Sequence, residues 1–227
     1  MRLNSSGPSS GSMLGSEDRP YGIDLYWLPL GAGGHFVRLN GRLYEAAKAF
    51  LEGRPRCDLY HSGLEVIVPD GRYVIEMTPV PDPQGADRGA VAEGSVGARW
   101  AGRFRMFRYE LRCWRNGVIP DIGEAVDSPR QLSSDPDRAR RLLEVAPQVP
   151  TLVWGRDEAK TGEMWNSNSM VAWMLEGAGF DAASIKPPVG GRAPGWEAGV
   201  VVAAGQGYPS ARTKGRAAIA LDSGQLG

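Results

Sequence analysis

The segment 166–169 has four adjacent polar side chains, in the order Asn-Ser-Asn-Ser, directly before a pattern typical of a helix. Apolar residues then recur at the spacing of one helical face, at Met170, Val171, Met174, Leu175 and Ala178. Projected back by one turn, this face includes Ser167. A helix N-terminus presents unbonded backbone N–H groups and the positive end of the helix dipole, so Ser167 is a candidate nucleophile or anion-binding residue. Asparagine and serine are also the preferred N-cap residues, and capping alone is an equally good interpretation.

His61 is the second residue whose type suits catalysis, and it lies in a segment with the pattern of a β-hairpin. The β-rich runs 59–68 and 72–80 are joined by Pro69, Asp70 and Gly71, a turn sequence that hairpins favour. A histidine on such a strand can serve as a general base if its nucleophile lies within hydrogen-bond distance. A lone histidine is more often structural than catalytic, so the hairpin is predicted more firmly than the role of His61.

Taken together, the two motifs resemble those of the permuted papain-like hydrolases of the PPPDE and LRAT type, which are distant relatives of the NlpC-type peptidases. In these families the histidine precedes the nucleophile in sequence, and the helix opens with Asn-Cys-Asn. His61 matches the family histidine, and Asn166, Ser167 and Asn168 match the helix start, with Ser167 at the position of the cysteine. The resemblance covers residues 59 to 179. It implies an α+β fold in which an antiparallel sheet, built from the His61 hairpin and the strand near Phe107, packs on the helix that starts near Ser167.

The serine changes the chemistry that the resemblance implies. A cysteine reacts as its thiolate, whereas a serine hydroxyl needs a general base that a third group holds in the right tautomer. We expect His61 to take the proton of Ser167, backbone N–H groups at the helix start to form an oxyanion hole, and an acyl-enzyme to follow on an amide or ester substrate. Glu65 lies on the same strand face as His61 by parity and is a candidate third member. Glu76 and Asp58 are alternatives.

The residues around Ser167 have candidate roles too, and two alternatives remain open. We expect Asn166 and Asn168 to contribute to the oxyanion site or the pocket. We expect Trp165 to form a wall of that pocket, although a tryptophan more often packs in the core. Because the family cysteine is absent, a catalytically inactive papain-like domain that binds a ligand or a partner fits the same residues. Cys57 could act as a displaced nucleophile, but it lacks a helix start that would activate it.

Composition narrows the partners and cofactors. Lysine plus arginine equals aspartate plus glutamate, 26 against 26, so the net charge favours none of three partners: nucleic acid, anionic lipid or an acidic substrate. The glycine run 31–34 has neither a GxGxxG pattern nor a P-loop lysine, and His35 and His61 are too far apart in sequence to indicate a metal site. We therefore expect no cofactor and no metal, and a small molecule or peptide as substrate. The sequence leaves the oligomeric state open.

The same sequence indicates the compartment and the division of the chain. With two cysteines and no apolar run long enough to span a bilayer, the expected setting is the reducing cytoplasm. The predicted organisation is a flexible arm or linker over 1–18, one α+β domain over 19–204 and a loosely ordered tail over 205–227. The predicted elements within the domain are a buried strand or extended arm over 22–30, a turn over 31–34, a short helix over 40–53, the His61 hairpin, a half-buried strand over 105–114 and a helix over 135–145. In the strand over 105–114, alternation predicts an inner face of Phe107, Tyr109, Leu111 and Cys113 and an outer face of Arg108, Glu110 and Arg112. In the helix over 135–145, the spacing predicts that Ala139, Leu142 and Leu143 face the core.

Overall fold

A computed structural model describes residues 19–30, 53, 55–80 and 89–208. Its strands are β1 (Gly22–Pro29), β2 (Asp58–Val68), β3 (Gly71–Pro79), β4 (Ala90–Ser95), β5 (Arg108–Arg115), β6 (Val126–Ser133) and β7 (Gly191–Arg192). Its α-helices are α1 (Pro136–Val145), α2 (Ser167–Gly177) and α3 (Trp196–Gly205). Within these ranges no helix is both long and apolar enough to cross a membrane. The predicted arm over 1–18, the turn over 31–34 and most of the helix over 40–53 lie outside the described residues.

The strands form one sheet in the order β4-β5-β3-β2-β1-β6, in which all neighbours are antiparallel. β2 and β3 are the predicted hairpin, and β5 pairs with β3 as expected. Strand β7 is short and pairs in parallel with the start of β2. The α+β class and the antiparallel sheet packed on a helix that begins at Ser167 are confirmed.

The helices cover one face of the sheet and form the main core with it. Trp27, Leu64, Val66, Ile75 and Leu111 point to this face and pack against buried side chains of α1, α2 and α3. Because side chains alternate along a strand, their neighbours in sequence point to the other face. That face has a smaller core, made by Tyr26, Leu28, Val74 and Ile119. Strand β1 is therefore buried on both faces, as its apolar sequence predicts.

Two predictions about β5 are wrong in detail. Phe107 lies in a short 3-10 turn before the strand and is 41% exposed, so only Tyr109, Leu111 and Cys113 share the inner face. The other face is not simply solvated, because Arg112 is 5% exposed and forms ion pairs with Glu76 and Glu110. Strand β5 is thus covered on both sides near its middle.

The predicted helix over 135–145 is confirmed, with one change in its inner face. Asp135 is the N-cap, and its carboxylate accepts hydrogen bonds from the backbone N–H groups of Asp137 (2.8 Å) and Arg138 (3.1 Å). Ala139, Leu142 and Val145 are fully buried, whereas Leu143 is only partly buried.

Helix α3 has no counterpart among the predicted elements. It packs closely on α2, and a Cβ added at Gly199 would lie 2.0 Å from the backbone oxygen of Ser169. Glycine at this position therefore allows the two helices to approach.

Candidate functional site

The first turn of α2 is closed by a capping box. The side-chain oxygen of Asn166 accepts hydrogen bonds from the backbone N–H groups of Asn168 (2.9 Å) and Ser169 (3.3 Å). In return, the Ser169 hydroxyl oxygen accepts from the backbone N–H of Asn166 (3.1 Å). Two of the four polar side chains therefore serve as caps, as the helix-capping interpretation predicts.

Asn168 does not cap the helix with its side chain; it joins the helix start to β2 by hydrogen bonds. Its amide nitrogen donates to the backbone oxygens of Tyr60 (2.9 Å) and Pro194 (2.9 Å). Its amide oxygen accepts from the hydroxyl of Ser62 (2.9 Å). Because Tyr60 and Ser62 flank His61, these bonds fix the distance between the helix start and the strand that carries the histidine.

The loop before α3 completes this framework. Asn166 donates to the backbone oxygen of Pro194 (2.9 Å), and Ser169 donates to that of Gly195 (2.7 Å). Gly195 has a φ of 87°, and a Cβ there would lie 2.6 Å from the Asn166 amide oxygen, so only glycine fits. Its backbone N–H donates to the Glu163 carboxylate (2.8 Å).

Ser167 is the exception among the four polar residues. It is 7% exposed, and across the described part of the chain its side chain forms no hydrogen bond. Its backbone N–H is likewise unbonded there, whereas those of Asn168 and Ser169 are bound by the cap. The helix start thus presents one hydroxyl and one N–H that no structural bond uses.

Ser167 and His61 line the same pocket, which has a volume of about 290 Å³. The pocket lies where the hairpin opens, because the ladder between β2 and β3 ends at the pair Leu64–Ile75. Beyond this pair the two strands separate and leave a gap. Its walls combine polar side chains with the apolar surfaces of Leu28, Ile119 and Trp154.

The two residues reach the pocket from opposite sides of the sheet. Ser62 faces α2, since it is bonded to Asn168, and alternation therefore directs His61 to the other face. His61 is paired there with Leu28 of β1. No hydrogen bond joins His61 to Ser167 in the described part of the chain.

Burial controls the protonation of His61. It lowers the pKa of the imidazole from 6.5 to about 4, while the negative charge of Asp121 acts in the opposite direction. The imidazole is therefore neutral at pH 7, which is the form that can accept a proton. Its basicity is therefore low, although Asp121 is already close enough to act on it.

The structure does not place Glu65 beside His61. Its carboxylate forms an ion pair with Arg72 (2.7 Å) in the closed part of the hairpin. Of the alternatives, Glu76 lines the pocket and Asp58 begins β2.

Asp121 is a pocket carboxylate that sequence reasoning missed. It lies at a turn after β5, has a φ of 57°, and lines the pocket together with His61. The only signal in the sequence was the Ile-Pro-Asp turn, which does not reveal what the turn faces.

Two other candidate residues, Trp165 and Cys57, lie outside the pocket lining. Trp165 is 1% exposed in the main core, and the tryptophan at the pocket is Trp154. Cys57 immediately precedes β2 and is not at a helix start. His35 lies outside the described residues. Among the residues that are described, no group of three or more histidine, cysteine, aspartate or glutamate side chains is placed to hold a metal ion.

Comparisons of the chain with protein-family models, with curated proteins and with solved structures gave no match. The resemblance to permuted papain-like hydrolases therefore depends on the His61 motif and on the Asn166–Asn168 motif.

Proposed function

We propose that the protein is a hydrolase or acyltransferase that acts on an amide or ester through Ser167 and His61. The observation that carries the proposal is that these residues, from distant parts of the chain, line one pocket. Ser167 is also the member of the polar helix start whose hydroxyl is not used in the framework around it. The proposal agrees with the resemblance to permuted papain-like hydrolases.

In the proposed reaction the Ser167 oxygen attacks the carbonyl carbon of the substrate, and His61 accepts the hydroxyl proton. The backbone N–H of Ser167 and the positive end of the α2 dipole stabilise the negative charge on the carbonyl oxygen. His61 then gives the proton to the leaving amine or alcohol as the carbon–heteroatom bond breaks. Water, or an acceptor alcohol or amine, attacks the acyl-enzyme and restores the hydroxyl of Ser167.

Two requirements follow from the geometry. The imidazole must approach the hydroxyl to about 2.6–3.2 Å, a distance that many catalytic pairs reach only when substrate is bound. The pKa of His61 must also rise from about 4 as the transition state develops. Asp121 is the carboxylate of the pocket that favours this change, because its charge stabilises the imidazolium.

The size and lining of the pocket suggest a small acyl group as the substrate. A volume of about 290 Å³ is at the lower limit of ordinary ligand sites. Leu28, Ile119 and Trp154 provide apolar walls for it.

The test is hydrolysis of a panel of p-nitrophenyl esters and anilides that differ in acyl length. Wild type should turn over the short-chain members, and both Ser167→Ala and His61→Ala should lose this activity. Ser184→Ala is a matched control, because Ser184 lies on the surface and outside the pocket lining. Equal turnover by wild type and Ser167→Ala would rule out the proposed nucleophile.

A second candidate is an inactive domain that uses the pocket for binding. The observation that favours it is that His61 has a low pKa and no hydrogen bond to Ser167 in the described chain. In that case small acids, amides or peptides should raise the melting temperature of wild type and of Ser167→Ala equally. Absence of any ligand response in both proteins would exclude this candidate.

A further inference from the structure

An exposed apolar surface lies between β4 and β5. Two short 3-10 turns, Arg99–Arg103 and Arg105–Phe107, leave four large side chains in solvent. Their exposed fractions are 68% for Trp100, 47% for Phe104, 80% for Met106 and 41% for Phe107. We call this the Trp100–Phe107 surface. Large apolar side chains exposed side by side mark an interaction site, whereas exposed residues scattered singly need no explanation.

Arginines are interleaved with these apolar side chains. The stretch 97–109 contains four arginines and no acidic residue. The guanidinium of Arg103 lies over the rings of Trp100 (5.5 Å) and Phe104 (4.7 Å). This arrangement keeps a cation at the level of the aromatic rings, which is the combination found at the interface between lipid headgroups and acyl chains.

Not all of the positive charge is available to a partner. Arg99 forms an ion pair with Glu158 (2.7 Å), and Arg108 forms one with Glu93 (3.1 Å). The most exposed member of the surface is the apolar Met106. A nucleic-acid site would need a broader basic surface than these arginines leave, because two of the four are already in ion pairs. The observations therefore favour a partner that is both apolar and anionic.

We propose that the Trp100–Phe107 surface docks on an anionic membrane surface. Trp100, Phe104 and Met106 enter the boundary between headgroups and acyl chains, and Arg103 lies at the level of the lipid phosphates. The surface lies one strand from the pocket, because β5 begins directly after it and Tyr109 pairs with Pro79 of the pocket lining. On the other side, the backbone N–H of Gly97 donates to the oxygen of Trp154, another lining residue (2.9 Å). Docking would thus bring the pocket close to the bilayer, whether or not Ser167 is a nucleophile.

The test is co-sedimentation of the full chain with vesicles. Vesicles of phosphatidylcholine with about 30% phosphatidylserine should bind the protein more tightly than phosphatidylcholine alone, and added salt should weaken the binding. The double variant Trp100→Ser/Met106→Ser should bind the anionic vesicles at least about tenfold more weakly. Both side chains are mostly exposed, so the variant should keep its circular dichroism spectrum. Val189→Ser is the matched control, because Val189 is fully exposed and remote in sequence, and it should bind as wild type does.

Three results would overturn the proposal. The first is that wild type does not bind the anionic vesicles, or binds no better than the double variant. The second is that single-stranded RNA binds more tightly than the vesicles and displaces them, which would make the surface a nucleic-acid site. The third is a concentration-dependent dimer in analytical ultracentrifugation that the double variant abolishes, which would show that a second copy of the chain covers the surface.

Discussion

The protonation of His61 makes a quantitative prediction about stability. Burial lowers the pKa of His61 from 6.5 to about 4, so the folded protein resists protonation of a group that the unfolded chain protonates readily. The contribution of neutral His61 to the free energy of unfolding is therefore fully present above pH 6.5, and it is lost as the pH falls towards 4. Since one pKa unit corresponds to about 1.4 kcal/mol, the loss should be about 2 kcal/mol at pH 5 and about 3 kcal/mol at pH 4.

The variant His61→Gln isolates this contribution, because glutamine is polar and does not titrate. Urea unfolding of wild type and His61→Gln should be followed by tryptophan fluorescence at pH 7.5, 6 and 5. The difference between their free energies of unfolding should shift by about 2 kcal/mol in favour of the variant between pH 7.5 and pH 5.

The comparison also removes the contribution of other groups. The hydrogen bonds that Asp135 accepts from the start of α1 lower its pKa, so this carboxylate makes wild type less stable in acid too. It is present in both proteins, and its effect cancels in the difference. A difference that stays constant within about 0.5 kcal/mol over this pH range would refute the argument that partial burial keeps His61 neutral.

Three further substitutions test the framework. Gly199→Ala forces a Cβ against the backbone of α2 and should destabilise the protein by about 1–3 kcal/mol in urea unfolding, whereas Gly205→Ala, in open space on the same helix, should not. Asn168→Ala leaves the Ser62 hydroxyl and the Tyr60 backbone oxygen without their buried partner, so the free energy of urea unfolding should fall by about 1–3 kcal/mol for each of these two groups. Ser167→Cys should give a thiol whose pKa, from alkylation rates against pH, is below 8.5, the ordinary value, because of the helix dipole. Unchanged stability, or a thiol that alkylates only above its ordinary pKa, would count against this account of the helix start.

The elements that could be predicted from the sequence are those whose signals are local. The Pro69-Asp70-Gly71 turn between two β-rich runs predicted the hairpin, and the apolar spacing from Met170 onward predicted α2. Helix α3 was missed because its Ala, Val and Gly side chains have no single apolar face. Such a sequence is helical here because α2 buries much of it, which is a tertiary effect. Strands β4 and β6 are edge strands whose side chains are exposed or half-buried, and their sequences have little alternation.

The site could be predicted in part, for a similar reason. The types of residue at the helix start predicted a cap, but only the fold decides that Asn166 and Ser169 form it while Asn168 reaches β2. Strand parity predicts that Glu65 shares the strand face of His61, but parity does not reveal that the Glu65 carboxylate forms an ion pair with Arg72. Asp121 could not be found, because its position depends on how the loop after β5 folds over the second face of the sheet.

The most direct test of the central claim is labelling with a fluorophosphonate probe, followed by mapping of the modified residue by mass spectrometry. If Ser167 is a nucleophile activated by His61, the probe should modify Ser167 in wild type, and His61→Ala should slow the labelling strongly while keeping the fold. Ser184→Ala should label as wild type does. If folded wild type is not labelled, or if it is labelled at another residue, Ser167 is not an activated nucleophile and the polar start of α2 serves only to cap the helix and join it to β2.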